Sequence, residues 1–287
     1  MHTIAPIVSV SAWIGRELEP SSWIWPLTAH DVTALDAALE ECQDRPWHEI
    51  DKSCFPLGSL AERMATVADA LENGRGIVLL RGFPVARYRL DDLKRVHMGL
   101  GAHLGTPVYQ SVRGEMISEI RDEGSAALSR GTLDVKGKEA PFLSSRARVQ
   151  TTGPLRFHTD RTDVVGLLCA AQAATGGLSQ IASATAIHNA MLERRPDLAE
   201  QLFLDLPRSR LGEEHGGAEQ FYMLPVFAIQ DGHFTTHYSR TYVEAGQEVA
   251  HVPRVTDAQW EALDMLQALA HELCVTHRFE AGDIQFL

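Results

Sequence analysis

His158 and Asp160 stand one residue apart in Phe157-His158-Thr159-Asp160 and supply a neutral nitrogen and an anionic oxygen. On an extended segment side chains repeat every two residues, so imidazole and carboxylate leave the backbone on one face and Thr159 on the other. A co-facial His and carboxylate are two of the three protein ligands in the facial triad that holds non-haem Fe(II). The third, a His, would come from a distant strand. An isolated His-x-Asp is also what an ordinary strand end with an acidic neighbour looks like, so the surroundings carry weight. A Gly153-Pro154 turn precedes the tetrad, and Asp163 and the apolar run Val164–Cys169 follow it. A second turn, Gly176-Gly177-Leu178-Ser179, comes next.

The elements that must position these residues are legible as periodic patterns. Residues 1–27, rich in Trp and Pro, read as an extended lead-in. Thr28–Gln43 reads as a helix with Val32, Leu35, Leu39 and Cys42 on one stripe. Ser59 and Glu62 form a capping-box pattern for a second helix carrying Leu60, Met64, Val67 and Leu71, which Gly74 is placed to end. Gly76–Gly82 is a short buried strand. Asp91 and Asp92 can cap a third helix. The segment Gly131–Ala140 reads as a mobile loop. From Phe157 onward the pattern predicts strands at 164–172, 221–230 and 233–243, a helix at Ala184–Arg195, and a helix opened by a Thr256/Gln259 capping box. Gly282-Asp283 is a turn before a last strand. Strands are expected to dominate the second half, within one mixed domain.

Composition narrows the function. The chain has 287 residues, 45% hydrophobic and 22% charged, which suits an ordinary globular core. A formal net charge of −12, with no run of Lys and Arg, argues against a nucleic-acid surface. Cys42, Cys54, Cys169 and Cys274 are scattered without a C-x-x-C pair, which fits a reducing compartment. The first residues lack the basic region of a signal peptide, and no apolar stretch reaches membrane-spanning length. A cytoplasmic protein, working on small molecules and not on a membrane, is the expectation; a homo-oligomer is compatible with it.

Five blocks in order now carry a resemblance: Gly74-Arg75-Gly76-Ile77-Val78-Leu79-Leu80-Arg81-Gly82-Phe83-Pro84, Leu104-Gly105-Thr106-Pro107, Phe157-His158-Thr159-Asp160, Gly176-Gly177-Leu178-Ser179 and Gly282-Asp283-Ile284-Gln285-Phe286-Leu287. With them the chain resembles the taurine dioxygenase (TauD/TfdA) family of Fe(II)- and 2-oxoglutarate-dependent oxygenases. The resemblance implies an α+β fold with a mostly β core, a double-stranded β-helix (jelly roll, clavaminate synthase-like) with flanking helices. It implies a lead-in over 1–54 and the oxygenase domain over 55–287. It implies iron on His158 and Asp160, dioxygen and 2-oxoglutarate as cosubstrates, and a Ser179 hydroxyl on a 2-oxoglutarate carboxylate. Both iron ligands must be deprotonated, so activity is expected to fall at acid pH.

In the family a His and then an Arg follow the Gly-Asp-Ile block, the Arg pairing with the far carboxylate of 2-oxoglutarate. This chain stops at Leu287, before both. The expectation is therefore a sequence truncated at its C-terminus, lacking its last core strands, with weak iron binding and poor turnover. His215, His233, His237, His251 and His277 also follow Asp160, none at the family's position. Arg240, in Tyr238-Ser239-Arg240, and Gln110, after a Pro-Val-Tyr strand, are candidate substrate-pocket residues; each also reads as an ordinary polar strand residue. A metal-dependent hydrolase would add a His two positions before His158, where Arg156 stands. The other alternative is a binding module with an incomplete metal site.

Overall fold

The computed structural model describes residues 4–110, 114–122, 132–133, 142–143, 155–210 and 220–287. The Gly153-Pro154 turn and His215 lie outside the described residues, as does the segment expected as a Gly131–Ala140 loop except for Thr132–Leu133, which is a strand. The chain forms two compact units. One comprises Val8–Ile117, Thr162–Ala186 and Leu273–Leu287; the other comprises Met1–Ile7, Ser118–Arg161 and Ile187–Glu272.

The first unit is built on a four-stranded sheet in the order Ile24–Pro26, Val78–Arg81, Ile284–Phe286, Gly166–Leu168. The first pair is parallel and the other two are antiparallel. The period of two sorts its side chains. Val78, Leu80, Ile284 and Phe286 join Leu35, Leu39, Met64, Val67, Leu93, Val96 and Leu100 from the helices Ala29–Glu41, Ala61–Glu72 and Leu90–Leu104. Leu79 goes the other way, into a cluster with Trp13, Leu18, Trp23, Ile77 and Ile181. From Val8 onward the segment expected as an extended lead-in is thus part of this unit. It contributes Trp23 and an edge strand after two short 3-10 turns, Gly15–Glu17 and Pro20–Ser22.

Local signals succeed where one turn of chain decides. Thr28 caps the first helix, reciprocally with Asp31. The Thr256/Gln259 box also forms in both directions, at 3.2 and 3.0 Å. The Ser59/Glu62 box does not form: a 3-10 turn, Gly58–Leu60, runs straight into the second helix and leaves Leu60 at its N-cap. The sheet is locked by a charge pair. Arg81 Nε and Nη2 donate to the two oxygens of Asp283, each at 2.9 Å, and Asp283 is fully buried. Asp283 also accepts from Glu280 N at 2.9 Å. Gly282 beside it has φ +95°, and a Cβ there would meet Phe83 O at 1.9 Å, so only glycine fits the turn.

The second unit holds three two-stranded ladders: Thr132–Leu133 with Phe142–Leu143, Leu206–Ser209 with Phe221–Leu224, and the hairpin Phe227–Gln230 with His233–Thr236. Its strands are shorter than expected. The run 164–172 yields only Gly166–Leu168, in the first unit, and 221–230 is interrupted at Pro225. Residues 233–243 form a strand only to Thr236; Arg240–Gly246 is a helix. Helices Ala184–Arg194, Pro196–Gln201 and Asp257–Leu273 complete the second half, which is therefore mixed and not strand-dominated. Among the described residues the strands form separate small sheets and no closed barrel. None of the helices is long and apolar enough to cross a membrane, among the described residues.

Candidate metal centre

Residues 155–160 have no strand partner of their own, yet the segment is held firmly. Thr159 N donates to Tyr238 O at 2.8 Å, and Thr159 Oγ1 accepts from Tyr238 N at 2.9 Å. Arg156 pairs with Glu244 at 2.8 Å, and the Phe157 ring meets His271 edge-on at 4.9 Å. Thr159 thus faces the protein while its neighbours point the other way, as the two-residue period requires. His158 Nε2 lies 3.7 Å from Asp160 Oδ1.

The tautomer of His158 follows from its other nitrogen. Nδ1 lies 2.8 Å from the carbonyl of Arg156, which only accepts, so Nδ1 carries the proton and donates. In the neutral imidazole Nε2 then presents a bare lone pair beside a carboxylate oxygen. Such a carbonyl-anchored imidazole is the usual outer arrangement of a metal-binding His. Donors held at about 2.1 Å and at right angles around one ion would be about 3 Å apart. The 3.7 Å separation is within a small side-chain adjustment of that, so this pair fits a divalent iron.

His233 is exposed on its hairpin, and His251 is exposed with φ +63°. His237 Nδ1 accepts from Arg208, and His277 Nε2 donates to Gln285 Oε1 at 2.8 Å. Among the described residues no three His, Cys, Asp or Glu side chains are gathered as a metal would need.

In the sheet unit, Gly176 and Gly177 both have positive φ and turn the chain into the strand Leu178–Ile181. Ser179 is half-buried there and stands directly opposite His277. Gln285 is opposite Leu79 and so lies on the Trp23 side of the sheet. Trp23 meets the His277 ring edge-on at 5.2 Å. Among the described residues, Trp23 Nε1, His277 Nδ1 and Gln285 Nε2 are buried without a hydrogen-bond partner. Burial holds the His277 pKa below its ordinary value.

The two substrate-pocket candidates are placed plainly. Gln110 is exposed at a bend, not after a strand, and its N–H donates to Glu115 O at 2.6 Å. Arg240 opens a helix; its guanidinium pairs with Glu244 and Asp264 and covers the Trp260 ring at 5.4 Å.

Sequence reasoning missed Arg208. Fully buried in the strand Leu206–Ser209, it donates to Pro225 O, His237 O and His237 Nδ1. Burial holds its pKa down at about 10. Burial, followed by the Arg208 and Arg161 charges, pushes His237 down to about 4. The unfolded chain therefore binds a proton at His237 more readily than the folded one. The neutral-His contribution is complete above about pH 6.5 and is lost as pH falls toward 4, on the order of 2–3 kcal/mol. Urea midpoints compared at pH 7.5 and pH 4.5 should show this loss, and His237→Gln should shrink it. An unchanged pH dependence in that variant would mean that His237 is already free to ionise.

Residues 43–287 match the family model described as "Taurine catabolism dioxygenase TauD, TfdA family". The chain is similar to an FR-33289 synthase of Streptomyces rubellomurinus (strain ATCC 31215), 28% identical over 98% of this chain and 81% of that protein. It is 26% identical to the taurine hydroxylase-like protein SAT17 of Stachybotrys chartarum, over 96% of this chain and 70% of that one. Its fold is shared with an asparagine oxygenase crystallised with Fe(II), 2S,3S-3-hydroxyasparagine and succinate, at TM-score 0.64, 17% identity, and coverage of 92% and 84%. It is shared too with the non-heme iron oxygenase OrfP in complex with Fe and alpha-ketoglutaric acid, at TM-score 0.63, 14% identity and the same coverage. The chain belongs to the TauD/TfdA family of Fe(II)- and 2-oxoglutarate-dependent dioxygenases.

Proposed function

We infer that this chain oxidises a C–H bond of a small organic substrate, with Fe(II) on His158 and Asp160 and with 2-oxoglutarate released as succinate and CO2. The observation that carries this reading is the bare Nε2 of His158 beside the Asp160 carboxylate. Bound iron supplies dioxygen activation coupled to decarboxylation of the 2-oxo acid, chemistry that no side chain performs alone. The protein's part is to keep His158 in one tautomer and to aim both ligands. Arg156 O does the first and Thr159 the second.

Ser179 donates to a carboxylate of 2-oxoglutarate in this reading. Its support is the diglycine turn that presents it, its half-buried place opposite His277, and the unpartnered donors Gln285 Nε2 and Trp23 Nε1 on that side of the sheet unit. Buried donors without partners are costly, and an oxyanion is an acceptor to which they could donate. Arg240 and Gln110 are given no role in this reading, because the Arg240 guanidinium pairs with Glu244 and Asp264 and Gln110 is exposed. The hydroxylated amino acids held by the asparagine oxygenase and by OrfP support a small polar substrate.

The test is succinate formation from 2-oxoglutarate with Fe(II) and dioxygen. Ser179→Ala should raise the 2-oxoglutarate concentration needed for half-maximal turnover by about 10- to 100-fold, the equivalent of about 1.5–3 kcal/mol. Iron binding should be little changed. An unaltered requirement would make Ser179 a turn residue only, and absence of succinate at any concentration would favour a binding protein over an enzyme.

A further inference from the structure

Thr159, between the two candidate ligands, has its side chain held by one peptide unit, while its own N–H donates to Tyr238 O in the next. The N–H of Tyr238 donates to Thr159 Oγ1, and the C=O at the other end of that same planar peptide belongs to His237. That C=O accepts from Arg208 Nη2, which also donates to Pro225 O at 3.1 Å, while Nη1 donates to His237 Nδ1. Arg208 is fully buried, and no carboxylate among the described residues pairs with it. An unpaired buried cation is expensive, and a neutral side chain would be cheaper to enclose. The planar guanidinium provides something a neutral chain does not: a rigid fork that grips two carbonyls and a ring nitrogen at once. A charged donor on the His237 carbonyl also polarises the peptide and strengthens its N–H toward Thr159.

We propose that Arg208 is a positioning residue for the iron-binding pair: it fixes the plane of the 237–238 peptide, which holds Thr159 and thereby sets how His158 and Asp160 are presented. This rests on the reading of His158 and Asp160 as metal ligands. Arg208 touches neither of them; it acts through Tyr238 and Thr159.

The experiment uses the full 287-residue chain with Arg208→Gln, Thr159→Val, Thr159→Ser and the Arg208→Gln/Thr159→Val double variant. Amide hydrogen exchange is followed without metal, and Co(II) is titrated anaerobically by its visible absorption. Arg208→Gln should speed exchange at the Thr159 and Tyr238 amides at least tenfold more than in the Ala29–Glu41 helix, and should weaken Co(II) binding by about 10- to 100-fold. Thr159→Val should weaken it similarly, and Thr159→Ser, which keeps the acceptor, should restore it. The double variant should bind no worse than the weaker single one, because both act on one link. Unchanged exchange at those two amides in Arg208→Gln, or losses in Co(II) affinity that add, would overturn the proposal. If Arg208→Gln does not fold, the Val/Ser pair decides: recovery with Ser supports the link, and none overturns it. Accelerated exchange in a chain whose parent takes up no Co(II) would uphold the link and sink the metal assignment instead.

Discussion

Alanine at His158 or at Asp160 should remove specific Fe(II) binding and, with it, succinate formation from 2-oxoglutarate. Changes to groups that merely orient a ligand weaken metal affinity by about 10- to 100-fold, so loss of a ligand itself should reach at least the upper end. His158→Ala deletes the nitrogen lone pair that the Arg156 carbonyl leaves bare; Asp160→Ala deletes the anion that neutralises part of the iron's charge. Neither side chain is part of a packed core, so both variants should unfold at nearly the parent's urea concentration. The measurement is anaerobic Fe(II) titration alongside that midpoint. Full binding in either variant, at unchanged stability, would remove the pair from the site.

The second large effect is on stability. Arg81→Ala leaves the Asp283 carboxylate buried and without its bidentate partner, which should cost about 3–5 kcal/mol. Asp283→Ala should cost less. Arg81 is partly exposed and keeps Glu280 at 3.1 Å, so its charge retains a partner and access to water. Replacing both by well-packed apolar residues should recover much of the loss, since the pair's own net contribution is small beside the penalty of splitting it. Urea unfolding of the three variants checks this order. Equal costs for the two single substitutions would mean that Asp283 is hydrated once Arg81 is gone. The pair also explains two of the sequence blocks. Leu80-Arg81-Gly82 and Gly282-Asp283-Ile284 are two halves of one clamp, so in this chain they serve the sheet that carries Gln285 and not the reaction directly.

Some of this was readable from the chain alone, because near neighbours decide it. The two-residue period put His158 and Asp160 on one face, and the carbonyl two residues back fixed the tautomer. The Thr28 and Thr256 caps formed because donor and acceptor lie within a single turn. The Ser59 box shows the limit even there: a competing 3-10 turn took the same residues. Strand lengths were overestimated for a related reason. Residues 233–243 have strand composition, but Arg240 gains Glu244, Asp264 and the Trp260 ring only as the start of a helix. Tertiary structure alone joined Arg81 to Asp283, 202 positions apart, and set His277 opposite Ser179. It also buried Arg208 behind the 237–238 peptide that grips Thr159. No local period encodes such pairings. They depend on which strands become neighbours and on which charges the fold can enclose, and both are settled only when distant segments are brought together.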